Sequence, residues 1–271
     1  MGRWTLDEIP WDCFDRSKLD REIVRIVKAA GLVEYNGGAY AHHLCRIFHD
    51  DPAFQQNARH WGEEEIQHGK ALGRWAELAD PEFDFEAAFV RFQAGYQVDF
   101  DYAISRRGTR AGEMVARCMV EVGTSSYYTA LHDAAREPVL KEICRNIAAD
   151  EIRHYKLFYN YLARCLERER LGFWGRLRVA ARRIAESEDD ELAYAYYAAN
   201  ETARPYDRRR CSRGYARRAF ALYRRHHVAH GVALIFKAVG LNPHGGLSHA
   251  ASRFAWWLIR YRATRLAKAP A

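Results

Sequence analysis

Two Glu-x-x-His pairs stand out in the 271-residue chain: Glu65/His68, within WGEEEIQHGKALGRW, and Glu151/His154, within ADEIRHY. On a helix, a spacing of three places a carboxylate and an imidazole on one face, a turn apart. Each pair can therefore offer an oxygen and a nitrogen to the same cation. With 20 glutamates and 12 histidines, about one such pair would arise by chance, so the motif alone says little. Context selects these two. Each glutamate follows another acid, Glu64 and Asp150. Lone glutamates, Glu34 and Glu121, precede the pairs by 31 and 30 residues, and the two halves are offset by 86 or 87. Antiparallel helix pairs need separations of this size to bring two mid-helix positions level.

The flanking positions are apolar. Glu34 shares its face with Val27, Ala30, Gly31, Gly37, Gly38 and Ala41. Glu151 shares its face with Leu140, Cys144, Ile147 and Phe158. Glu121 lies with Met114, Cys118, Tyr128 and Leu131, Arg117 being the one discord. A carboxylate on an apolar face must be neutralised, paired or bound to metal. Four carboxylates and two imidazoles meeting in one core would repel as free anions, and two divalent or trivalent cations would relieve them. Mixed oxygen and nitrogen donors suit iron or manganese better than the sulfur-rich structural sites of zinc. One Glu from each of two helices and Glu-x-x-His from each of the other two is the ligand pattern of ferritin-like di-metal carboxylate bundles. The small residues beside Glu34 leave room for an apolar channel, or else allow close helix packing.

Elements able to position these residues can be read from helical periodicity over 17–48, 53–79, 111–136 and 138–168, with a shorter helix near 84–98 in the longer connection. Asp51-Pro52, Asp80-Pro81, Arg107-Gly108-Thr109 and Glu137-Pro138 fall where helices should end or begin. Strand signals are few. The expected fold is all-α: a ferritin-like four-helix bundle over 1–168, and a basic helical extension over 169–271 packed on it. The extension also reads as helical, with breaks at 186–191, 203–207 and 240–246. The bundle's first half-site helix is read as continuous through Glu34.

The motifs resemble those of ferritin-like di-iron oxidases, and most closely those of soluble acyl-carrier-protein desaturases, over about 17–168. Those enzymes carry EExxHG, here Glu64-Glu65-Ile66-Gln67-His68-Gly69, and DExxH, here Asp150-Glu151-Ile152-Arg153-His154. They also carry a threonine three residues after the third-helix glutamate, here Thr124 after Glu121. The resemblance implies two iron ions (manganese as the alternative) held by Glu34, Glu65, His68, Glu121, Glu151 and His154. It implies O2 as co-substrate, electrons from an external donor such as a ferredoxin, and a proton-handling role for Thr124. Asp150 is expected to reach His68 across the bundle, and Glu64 to reach His154, since acids commonly orient metal-bound histidines. The implied activity is desaturation or hydroxylation of a fatty acyl or lipid-like substrate. The spacing of 31 also resembles aldehyde-deformylating oxygenases. A ferritin- or rubrerythrin-like iron-oxidising or peroxide-protective protein is the alternative, but no rubredoxin CxxC pair is present. A tRNA-modifying di-iron hydroxylase is another relative by fold.

Charge is unevenly spread. Residues 161–271 hold 22 Lys and Arg against 9 Asp and Glu, whereas residues 1–160 hold 20 against 26. The basic tail, ending in RFAWWLIRYRATRLAK, suits an acidic acyl carrier protein or an anionic membrane surface. The blander reading has Trp256 and Trp257 packed on the bundle. Nucleic acid is disfavoured for want of a recognisable motif, and a homodimer is a further candidate assembly. His226, His227 and His230 have metal-like spacing but no carboxylate nearby in sequence. No run of 18 apolar residues occurs, the start lacks an apolar signal region, and six scattered cysteines fit reduced thiols. The expected location is cytoplasmic, peripheral to a membrane if the tail binds lipid.

Overall fold

Short polar side chains begin the long helices. Asp20 accepts a hydrogen bond from the Glu22 amide, Asp51 from Phe54, Thr109 from Gly112, and Glu137 from Val139 and Leu140. Each satisfies amides that have no partner within their helix. Pro52 and Pro138 occupy first-turn positions, where a missing N–H costs nothing. In a computed structural model, which describes residues 4–96, 104–186 and 190–268, these caps open α1 (Arg21–Tyr35), α3 (Pro52–Ala79), α5 (Arg110–Ala134) and α6 (Pro138–Arg168). Between them lie α2 (Gly37–Ile47) and α4 (Phe85–Gly95). The C-terminal part forms α7 (Phe173–Ala185), α8 (Asp190–Asn200), α9 (Arg208–Leu222), α10 (Arg225–Val239) and α11 (Gly246–Lys268). The described residues contain no strand, in keeping with the all-α expectation. The end of the predicted 84–98 helix and residues 187–189 of the predicted break lie outside the described residues.

Two boundaries differ from the periodicity. The helix expected over 17–48 is broken at Asn36, whose amide bonds to the Val33 carbonyl in a tighter i→i+3 turn. Glu191 of α8 reaches this break, accepting from Tyr40 Oη at 2.7 Å and Asn36 Nδ2 at 3.4 Å. The break is thus held from a distant helix that local periodicity does not see. The tail forms five helices: breaks fall at the three expected places, and an extra one falls at Tyr223–Arg224.

Helices α1, α2, α3, α5 and α6 form the bundle, with α5 along α6, and α1 and α2 along α3. Helix α8 packs on α1, and α7 and α10 on α5, while α11 rests on α9 and α10. Trp256 is half-buried, but Trp257 is 58% exposed, so the two tryptophans do not both cap the bundle. The apolar core falls into two clusters. One includes Ile26, Leu72, Trp75, Tyr128, Leu131 and Ile147; the other includes Leu44, Phe54, Trp61, Met114, Val122 and Phe158. Along α3, α5 and α6 the clusters change over at the carboxylate–histidine positions. A polar layer is thereby sealed between two apolar ones.

Candidate metal centre

The layer brings together the six residues singled out by spacing. Glu34 lies in the last turn of α1, Glu65 and His68 mid-α3, Glu121 mid-α5, and Glu151 and His154 mid-α6. All are between 0% and 7% exposed. Their ligand atoms form two overlapping groups, each able to hold a metal ion: Glu34, Glu65, His68 and Glu151, and Glu65, Glu121, Glu151 and His154. Glu65 and Glu151 belong to both. His68 Nδ1 lies 3.3 Å from Glu151 Oε1 and 3.7 Å from Glu34 Oε2 and Glu65 Oε2. His154 Nδ1 lies 3.1 Å from Glu65 Oε1, 3.7 Å from Glu121 Oε2 and 3.9 Å from Glu151 Oε1.

The far side of each imidazole is tied down. His68 Nε2 donates to Asp150 Oδ2 at 3.1 Å, and His154 Nε2 to Glu64 Oε2 at 2.8 Å. A carboxylate acceptor fixes the proton on Nε2 and leaves the Nδ1 lone pair turned to the carboxylate cluster. Arg153 spans both acids, donating to Asp150 Oδ1 at 2.5 Å and Glu64 Oε1 at 3.0 Å. Trp4 Nε1 donates to Asp150 Oδ2 at 2.8 Å, and its ring stacks on His68 at 6.1 Å. Gln67 Nε2 holds the Trp4 carbonyl at 2.9 Å. Thr124 donates its hydroxyl to Glu151 Oε2, and Tyr128 donates to Glu34 Oε1 at 2.6 Å.

Burial and mutual repulsion shift the carboxylates of the layer. Burial, then the charge of Glu65, pushes Glu34 up to about 8. Burial likewise raises Glu121 and Glu151. Burial also opposes ionisation of Glu65, but the His154 and His68 imidazoles beside it outweigh that and hold it well below the usual range. For both imidazoles, burial favours the neutral form, yet the surrounding acceptors raise them well above 6.5. Buried His68 Nδ1, His154 Nδ1, Glu121 Oε1 and Glu151 Oε1 have no hydrogen-bond partner. Unpaired polar atoms are rare in sealed cores. Two divalent cations would neutralise four carboxylates with both imidazoles uncharged, and would occupy those four atoms. The donor set therefore fits a di-metal site.

The glycine face resolves as packing. A Cβ on Gly37 would lie 2.3 Å from Glu65 Cβ, and one on Gly31 3.2 Å from Leu72 Cβ. These glycines let α1 and α2 approach α3, so the space beside Glu34 is filled by α3 itself. Arg117, the discordant residue near Glu121, pairs with Glu113 at 3.4 Å and lies against the Tyr40 and Trp61 rings. Trp61 meets His154 edge-on, and Tyr155 donates to the Leu234 carbonyl at 2.8 Å. Three contacts escaped sequence reasoning. Arg153 could have been found, being three residues from Asp150 on the same helix. Tyr128, two turns from Glu121, reads equally well as core. Trp4 carries no signal, because its partner is 146 residues away. The histidines of α10 do have a carboxylate: Asp133 of α5 lies 3.2 Å from His226 Nε2 and 3.0 Å from His227 Nε2.

Fold and site together define an all-α bundle with a buried carboxylate–imidazole layer compatible with two metal ions. Residues 40–173 match the fatty acid desaturase family, a match that spans every candidate ligand except Glu34 and supports a desaturase-type oxidoreductase. No curated protein matches the chain. Among the described residues, no helix is long and apolar enough to cross a membrane.

Proposed function

We propose that the protein is an O2-dependent di-iron oxidoreductase, of desaturase or hydroxylase type, acting on a fatty acyl or lipid-like substrate. The observation carrying this reading is the pair of overlapping four-ligand groups that share Glu65 and Glu151. Glu34 and His68 would serve one ion, Glu121 and His154 the other, and the shared glutamates both. When bound, the iron pair would supply O2 activation with electrons from an external donor such as a ferredoxin. The remaining work falls to the chain. Asp150 and Glu64 keep each imidazole proton on Nε2, so Nδ1 is free to ligate without tautomer exchange. Thr124 holds a proton at Oγ1 against Glu151 Oε2, where a hydroxyl can pass it inward. Tyr128 restrains Glu34 through Oε1. The apolar clusters on both sides keep bulk water from the layer. On this reading residues 1–168 form the di-iron bundle, and 169–271 a basic helical extension.

Iron stoichiometry and product analysis test the proposal. The wild-type protein should bind two Fe(II) per chain. Glu34→Ala and Glu121→Ala should each retain one, and Glu65→Ala and Glu151→Ala should lose both. Unchanged iron in the latter two would sink the site assignment. Reduced protein given O2 and a long-chain acyl thioester should yield an unsaturated or hydroxylated product by mass spectrometry. Iron oxidation without any acyl product would instead favour an iron-handling protein.

A further inference from the structure

Six arginines surround one pocket in the C-terminal half of the molecule, far from the carboxylate layer in chemistry. The pocket holds about 370 Å³ and is lined by Arg25 of α1, Arg204, Arg210, Arg213, Arg217 and Arg218, with Tyr196 and Asn200 of α8 and the single carboxylate Glu201 in its wall. No lining residue lies within 40–173, so the pocket belongs to the part of the chain that the family match does not cover. Arg25 precedes Glu34 by nine residues on α1, about 13 Å at 1.5 Å per residue.

The cationic charge exceeds its local partners. Glu201 pairs with Arg210 at 2.7 Å, and Glu22 with Arg217 and Arg218 at 3.1 and 3.0 Å. These pairs hold three guanidinium groups in place. Arg213 donates to the Arg209 carbonyl of its own helix and lies near enough to Asp207 to lower it, and neither Arg213 nor Arg204 makes an ion pair among the described residues. Concentrating like charges around a cavity is unfavourable unless an anion offsets it. Arginine forks match phosphate oxygens in two-bonded geometry.

A second feature points into the same space. The Tyr196 side chain is fully buried, yet its hydroxyl has no hydrogen-bond partner. Arg25 lies beside that hydroxyl, which raises its guanidinium, and the hydroxyl's own proton has no acceptor. Gly214, also in the wall, faces it: a Cβ there would come within 3.0 Å of the Tyr196 ring and 3.4 Å of its oxygen. A buried donor left unpaired costs free energy that a ligand oxygen would recover. Ala203 and Leu266 add a small apolar wall, and the volume falls at the low end of small-ligand pockets.

We propose that this pocket binds a phosphate ester bearing at least two negative charges, its oxygens held by Arg204, Arg213 and the Tyr196 hydroxyl, with Arg25, Arg217 and Arg218 supplying the surrounding field. The site stands apart from the metal reading, so it is assayed on metal-free full-length protein. Inorganic pyrophosphate is titrated calorimetrically at physiological salt, and vesicles of phosphatidylcholine with and without phosphatidic acid are tested by co-sedimentation. Saturable one-to-one pyrophosphate binding should weaken at least tenfold in Arg204→Ala/Arg213→Ala. It should weaken about threefold to tenfold in Tyr196→Phe, which keeps the ring and its packing. It should be unchanged in Arg260→Ala/Arg265→Ala, which removes the same charge from α11. Binding only to phosphatidic acid vesicles, with the same variant pattern, would identify a lipid headgroup as the source of the phosphate. Binding to neither probe, or binding weakened equally by the α11 control, would overturn the proposal.

Discussion

Asp150→Asn is the sharpest probe of the layer that orients the imidazoles. Asp150 Oδ2 accepts from both Trp4 Nε1 and His68 Nε2, while Oδ1 accepts from Arg153. An asparagine of the same shape has one acceptor oxygen. If that oxygen faces Trp4 and His68, its amide N–H groups meet the Arg153 guanidinium, donor against donor. Arg153 then loses one of the two acids it spans. If the amide turns round, His68 Nε2 must become an acceptor, and its proton moves to Nδ1, the atom meant to ligate. Either outcome weakens metal binding without opening a cavity. Loss of such orienting partners typically costs tenfold to a hundredfold in metal affinity, about 1.4–2.8 kcal/mol at 1.4 kcal/mol per tenfold. The assay is competitive Co(II) titration, with thermal melting to confirm the fold. Glu63→Gln, on a side chain 72% exposed, is the control and should change nothing. Wild-type affinity in Asp150→Asn, with an intact fold, would refute the claim that this acid sets the His68 tautomer.

Four further outcomes are expected. Gly37→Ala forces a Cβ to 2.3 Å from Glu65 Cβ; overpacking of this kind costs about 1–3 kcal/mol, so melting temperature and metal content should fall together. Tyr128→Phe removes the 2.6 Å donor to Glu34, worth about 1.5–3 kcal/mol once a bound cation ionises that carboxyl; a Co(II) titration followed spectroscopically should show one weakened site and one unaltered. Chelation should destabilise the protein by about 2.7 kcal/mol for each ion present at a hundredfold excess over its Kd; a melt indifferent to metal would contradict the charge balance drawn for the layer. Lowering the pH should loosen α10: burial, against the pull of Asp133, holds His227 below 6.5, so the folded state favours the neutral ring. Its contribution is full above 6.5 and is lost as pH falls from there through the folded value. Hydrogen exchange of α10 amides from pH 7 to 5 should show protection declining over that window.

Much of the molecule could be read without a structure because it depends on local rules. Helical periodicity and the caps at Asp51, Thr109 and Glu137 belong to single segments, so the all-α class and the long helices follow from them. The break at Asn36 does not, because Glu191 holds it from 155 residues away. The same division runs through the candidate site. Spacing alone nominated Glu34, Glu65, His68, Glu121, Glu151 and His154, since each Glu-x-x-His pair lies within one turn and the separations near 30 are a property of antiparallel helices. Spacing left open whether the glycines near Glu34 line a channel or a contact. Only the tertiary structure decided for contact, because that depends on how closely α3 approaches. It alone brought Trp4 onto Asp150, Arg153 onto Glu64, Tyr128 onto Glu34, Asp133 onto His227, and six arginines round Tyr196. Hydrogen bonds and ion pairs act over about 3 Å, and sequence separation does not record which distant atoms come that close.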